Sequence, residues 1–272
     1  MKNSAGLLLA TGLLAACSGE PSRDRVAQDQ GPKPQLGLMT SMPLYWPVDA
    51  DFGALASGEA AVPAQPSAFE QSYELVLLDT LSPIAGLTAD EPEVQPLSEL
   101  DFLAVIQPRV LTPTDNVALD EWVRGGGQLL LVLDPFLNGH YPLPLGDPRR
   151  PVETTLIPPV LARWGLELRF DEAQPRNLRS LVLRDNSIPL ALTGELWEIP
   201  GTHSDCQLFG DGVMARCLLG EGRLTILADA EVFKGDLPDG GHGHEHQEAS
   251  SRNHAIRNDA IQALVRFAFE TE

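Results

Sequence analysis

The run Gln128-Leu129-Leu130-Leu131-Val132-Leu133-Asp134 constrains the fold more than any other stretch of this chain. Its apolar residues follow one another without polar alternation. That suits a strand covered on both faces, the condition of a parallel sheet. The segment before it, residues 112–124, brings Val117, Leu119, Trp122 and Val123 onto one apolar helical face. Thr112 or Thr114 can cap the start of that helix, and Gly125-Gly126-Gly127 ends it. Phe102 to Gln107 is a second buried-strand run. Strand, helix and strand at this spacing make a right-handed parallel crossover the expected connection. Gln35 to Thr40, Tyr73 to Asp79 and Gly222 to Asp229 carry the same pattern.

The middle of the chain is less regular. Leu156 to Trp164 predicts a helix, and Leu166 to Phe170 a strand after Gly165. Short strands follow over 178–183 and 188–192, and a final amphipathic helix runs from about Arg257 to Phe269. The segment from Cys206 to Cys217 reads as strand, Asp-Gly turn, strand, which puts two cysteines on neighbouring strands within bridging distance. Together these elements predict an α/β domain over 35–272. Its sheet is doubly wound and mostly parallel, amidotransferase- or flavodoxin-like, with a β-rich insertion around 166–220.

The N-terminus addresses the chain to a compartment. The apolar run from Ala5 to Ala16 is shorter than the roughly 20 residues a spanning helix needs, and it follows the basic Lys2. It closes in Leu14-Ala15-Ala16-Cys17, which resembles the lipobox of bacterial lipoproteins. The resemblance implies a signal peptide over 1–16, lipidation of Cys17, and a periplasm-facing protein held at the membrane by its lipid. Ser18 in place of Asp favours the outer membrane over the inner one by the sorting rule of such proteins. The polar stretch 17–34 has the composition of a disordered tether. With Cys17 lipidated, Cys206 and Cys217 are an even pair for a disulfide in an oxidising space. A net charge of −19 argues against nucleic acid, whose phosphates require a surplus of Lys and Arg, and against lying flat on anionic lipid.

Three pieces carry a further likeness. The first is Asp115 to Trp122 with Gly126-Gly127 and the strand ending in Asp134-Pro135. The second is Leu161-Ala162-Arg163-Trp164-Gly165-Leu166. The third is Gly222-Arg223 through Ala228-Asp229, then Asn258 and the C-terminal helix. Their order resembles the extracytoplasmic domain of auxiliary proteins of gliding-motility-type ABC transport systems, whose fold is similar to class I glutamine amidotransferases. The resemblance implies a non-catalytic binding or assembly module with an ABC permease or another envelope protein as partner. Those auxiliary proteins are held by transmembrane helices, whereas this chain has the lipid signal.

Motifs for catalysis do not occur. The chain has no Gly-x-Cys-x-Gly or Gly-x-Ser-x-Gly elbow, no Gly-x-Gly-x-x-Gly and no P-loop, so a conventional enzyme is not expected. In an open parallel sheet the ligand crevice lies beyond the carboxyl ends of the strands. Those ends deliver Ser41, Tyr45, Trp46, Gln107 to Arg109, Asp134 and Asp229. Tyr45 and Trp46 can supply an aromatic wall, and Arg109 a fork for a carboxylate. Asp134 and Asp229 can accept hydrogen bonds from a ligand or equally fix the turns after their strands. The loop Asn138 to Arg150, rich in Pro and Gly, either covers this crevice with Arg149 and Arg150 or packs as a surface loop. Finally, His242, His244, His246 and His254, with Glu245 among them, can bind Zn or Cu. That makes a periplasmic metal-binding lipoprotein the alternative to the binding module, unless the run is a solvated insertion.

Overall fold

The computed structural model describes residues 31–44, 53, 57, 66–88, 90–139, 141, 143–202, 205–234 and 244–270, with 66–67 and 244–254 given by backbone alone. Contacts divide the chain into a unit Met1–Pro32 and a unit Lys33–Glu272. The lipobox with Cys17, the aromatic pair Tyr45 and Trp46, and His242 lie outside the described residues.

The larger unit is a mixed α/β domain. Five strands run parallel: β1 (Gln35–Thr40), β2 (Glu74–Leu77), β3 (Phe102–Ile106), β4 (Gln128–Val132) and, late in the chain, β11 (Gly222–Leu227). The sheet order is β2-β1-β3-β4-β11, continued by β10 (Met214–Leu219) and β9 (Asp205–Phe209), both in antiparallel pairings. The cysteine hairpin expected inside a β-rich insertion thus extends the main sheet. Cys206 stands opposite Cys217 in the β9–β10 register, and the two form a disulfide. The rest of the β-rich portion pairs apart from the main sheet. β5 (Leu166–Arg169) pairs with β8 (Glu195–Glu198), and β6 (Arg179–Leu183) with β7 (Asn186–Leu190).

Both sheet faces are covered, as the uninterrupted apolar runs require. Leu130 and Val132 enter one core with β6–β7 and the C-terminal helix, whereas Leu129 and Leu131 enter the other. Helices are few and mostly short: α1 (Pro66–Glu70), α2 (Pro113–Arg124), α3 (Pro159–Arg163) and α4 (His244–Phe269). α4 starts well before Arg257, so the helix reaches back into the histidine-rich run. Close approach of α2 to the sheet fixes Gly222, where a Cβ would lie 1.8 Å from the Val123 carbonyl oxygen.

α2 differs from its expected face. Its buried residues are Asp115, Asn116, Leu119, Asp120 and Val123, whereas Val117 is 57% exposed. The reason is that three polar side chains find partners inside. Asn116 donates to the carbonyls of Leu111 and Thr112 and accepts from the Val160 N–H, tying α2 to α3. Asp120 accepts from the Trp164 indole at 2.8 Å and pairs with Arg124 and Arg163. Asp115 completes a capping box with Thr112. Once satisfied, such groups bury at little cost.

Candidate functional site

The parallel strands β1, β3, β4 and β11 end on one side of the sheet, and the next residues of each are polar and buried. Ser41 follows β1, Gln107 follows β3, Asp134 lies two residues beyond β4, and Asp229 lies two beyond β11. All are less than 10% exposed. Burial obliges each polar atom to find a partner, and the partners are largely backbone groups of the neighbouring loops.

Ser41 donates its hydroxyl to the Gln107 carbonyl at 2.5 Å and accepts from the Val152 N–H at 3.1 Å. Gln107 leaves β3 in the left-handed region, with φ of 45°. This conformation is uncommon for a residue other than glycine. Its amide then reaches the end of β4: Nε2 donates to the carbonyls of Asp134 and Val152, and Oε1 accepts from the Asp134 N–H at 2.7 Å. The Asp134 carboxylate takes the N–H of Phe136 on one oxygen and that of Ala230 on the other. Asp229 takes the N–H groups of Glu231 and Ala191, both at 2.7 Å. The chain of ties runs from β1 to the segment after β7.

Two carboxyls set so close and so deep resist ionisation. Burial raises Asp134 to about 6 against the help of its two N–H donors. Burial and the neighbouring Asp134 carboxylate raise Asp229 to about 8. Burial also pushes up the phenol of Tyr141, with Asp134 and Glu231 adding negative charge nearby. Glu231, itself buried, pairs with Lys234 at 2.5 Å and with Arg257 of α4 at 3.5 Å.

Arg109 is exposed and donates its guanidinium to the carbonyls of Pro148 and Arg150. It holds the long loop after Asp134 in place. Arg150 holds the same loop from within, donating to the carbonyls of Tyr141 and Leu143 and pairing with Glu153. Arg149 pairs with Asp147 at the surface. The structure thus joins Ser41 and Asp134 through Gln107, with Asp229 near enough for the Asp134 carboxylate to raise it, and places Arg109 against the loop after Asp134. The sequence places Gln107 among the strand ends and Tyr141 in the long loop but marks no role for either, and it gives no sign of the buried Glu231, because their ties are to distant residues. Among the described residues no group of three or more His, Cys, Asp or Glu side chains is arranged to hold a metal ion. The side chains of His244, His246 and His254 lie outside that description.

No protein-family model and no curated protein matches the chain. Among solved structures it is similar to the exo-beta-1,4-mannosidase Op5Man5 from Opitutaceae bacterium strain TAV5, at 12% identity and a TM-score of 0.45. That alignment covers 88% of this chain and 37% of the mannosidase, so the chain spans little more than a third of that enzyme. It is also similar to the mmIFT52 N-terminal domain, at 10% identity and a TM-score of 0.45, over 88% of this chain and 99% of that one. Cytoplasmic protein STM3548 from Salmonella typhimurium gives 10% identity and a TM-score of 0.45, over 86% and 98%.

Proposed function

We propose that this chain is a lipid-anchored, periplasm-facing binding or scaffold module with an amidotransferase-like fold. It works without catalysis, beside an ABC transport system or another envelope protein. The observation that carries the reading is how the strand-end side chains are used. Ser41, Gln107, Asp134 and Asp229 bond to backbone groups of the loops that meet there. A catalytic crevice instead keeps such groups directed at a substrate position. The Cys206–Cys217 disulfide supports an oxidising compartment. Among the described residues no helix is long and apolar enough to cross a membrane, and attachment through Cys17 fits that.

Affinity capture from crosslinked native membranes tests the reading, with Cys17→Ser as the unanchored control. The expected result is recovery of ABC permease subunits or another envelope protein with the anchored chain and their loss with the control. A clean capture with no envelope protein would sink the role.

A further inference from the structure

An open concavity lies away from the strand ends. It is a groove of about 990 Å³ on the outer side of α2, and Leu81, Leu97, Val117, Trp122, Asp101 and Glu121 are among the residues that line it. Its floor is apolar. Trp122 donates its indole N–H to the Leu100 carbonyl and lies half-buried over Gly127, where a Cβ would come within 2.5 Å of the ring. Val117, turned outward by the polar ties beneath α2, contributes an exposed apolar wall. Beside the groove, Ile84 and Val94 exchange backbone hydrogen bonds at 2.9 Å in a small antiparallel bridge, and both side chains are exposed. Leu87, in the turn they close, is 96% exposed.

The charged residues that line this groove are acidic. From Pro34 to Pro108 the sequence has no Lys or Arg and eleven Asp and Glu residues. Asp101 and Glu121 line the groove, Glu99 stands between its lining residues Ser98 and Leu100, and Asp90, Glu91 and Glu93 lie in the turn closed by Ile84 and Val94. The arginines nearest in α2 and α3, Arg124 and Arg163, are both paired with Asp120. An apolar floor with an acidic rim selects its occupant. A second copy of this chain, at −19, is repelled, as are anionic lipid and nucleic acid.

We propose that this groove docks a cationic amphipathic polypeptide segment of an envelope partner. Apolar side chains of the segment lie on Val117 and Trp122, and its Lys or Arg residues meet Asp101, Glu99 and Glu121. This is the helix-in-groove mode of recognition with electrostatic complementarity at the rim. The inference rests on the binding-module reading above and names the partner's chemistry for it.

The probe is a synthetic leucine–lysine peptide patterned as an amphipathic helix, with a leucine–glutamate peptide of the same pattern as control. Binding to the full mature chain is followed by fluorescence anisotropy and by amide chemical shifts. The lysine peptide should bind, should weaken as salt is raised, and should shift the amides of Ile84, Val94, Val117 and Trp122. The glutamate peptide should not bind. The double variant Val117→Lys/Glu121→Lys, both exposed positions, should lose about tenfold or more in affinity, roughly 1.4 kcal/mol. Glu172→Lys/Glu195→Lys places new lysines at exposed positions that do not line the groove, and should lose less than about threefold. Equal losses in the two variants, shifts scattered over the surface, or no binding of the lysine peptide would overturn the groove. Should the anchored chain still capture envelope proteins in that case, the module reading stands and the groove alone falls.

Discussion

Asp115→Ala lowers the stability of the domain by about 3–5 kcal/mol, a large loss for the truncation of one buried polar side chain. The carboxylate is 4% exposed and gathers five donors. One oxygen accepts from the Thr80 hydroxyl and from the N–H groups of Leu81 and Ser82, at 2.8, 2.8 and 3.0 Å. The other accepts from the N–H and hydroxyl of Thr112, at 3.0 and 2.6 Å. These bonds hold the Asp115 carboxyl well below the usual carboxylate range despite its burial. Alanine removes the charge and leaves the backbone N–H groups of Leu81 and Thr112 without an acceptor, while that of Ser82 keeps the Thr80 hydroxyl. It opens the capping box of α2 and frees the Thr80–Ser82 turn, which leads into one wall of the groove. Urea denaturation reads the effect as a lower midpoint. Glu121→Ala, on the exposed face of the same helix, should stay within about 0.5 kcal/mol. A loss below about 1 kcal/mol for Asp115→Ala would show that the turn and the helix do not depend on one another.

The second large effect is a pH dependence that runs against the common one. An aspartate in the unfolded chain ionises near pH 4, whereas Asp134 and Asp229 are raised to about 6 and about 8 in the fold. Between about pH 4 and 8 the native protein therefore holds more protons than the unfolded chain. Stability contributed by these protons is present below pH 4 and is lost as pH rises through 6 and then 8, at no more than about 1.4 kcal/mol per pH unit for each group. Asp115, depressed, works in the opposite sense and withdraws its support only in acid. Thermal melts should show Tm falling from pH 5 to pH 8.5. Asp229→Ala should start lower at pH 5, by about 1–3 kcal/mol, because the N–H groups of Ala191 and Glu231 lose their acceptor. Its curve should be flatter above pH 6. A wild-type Tm constant or rising across that range would contradict the buried pair.

Much of the parallel sheet was legible in the sequence, because a strand covered on both faces needs an unbroken apolar run and β1, β3, β4 and β11 each have one. The cap of α2 was legible as Thr112 or Thr114; the fold uses Thr112, with Asp115 completing a capping box. The Cys206–Cys217 pairing followed from a short hairpin with turn residues between the cysteines. The face that α2 buries was not legible. Hydrophobicity puts Val117 inside, but the partners that make Asp115, Asn116 and Asp120 the better choice come from Leu81, Val160 and Trp164, more than thirty residues away. The addition of β9 and β10 to the main sheet is likewise set by pairing between distant segments. At the strand ends, Ser41, Asp134 and Asp229 were chosen by topology alone. The same topology brings Gln107 there, but its role in joining the first two depends on a left-handed turn and on loops that meet only in the fold.

An anchored domain that acts by binding an envelope partner would touch that partner in the cell. The most direct measurement is photocrosslinking in intact cells, with a photoreactive amino acid placed at Val117 or at Glu172 in the full chain. The expected result is a discrete adduct from Val117, lost when Cys17 is replaced by serine, and none from Glu172. No adduct from Val117, or the same pattern from both positions, would contradict it.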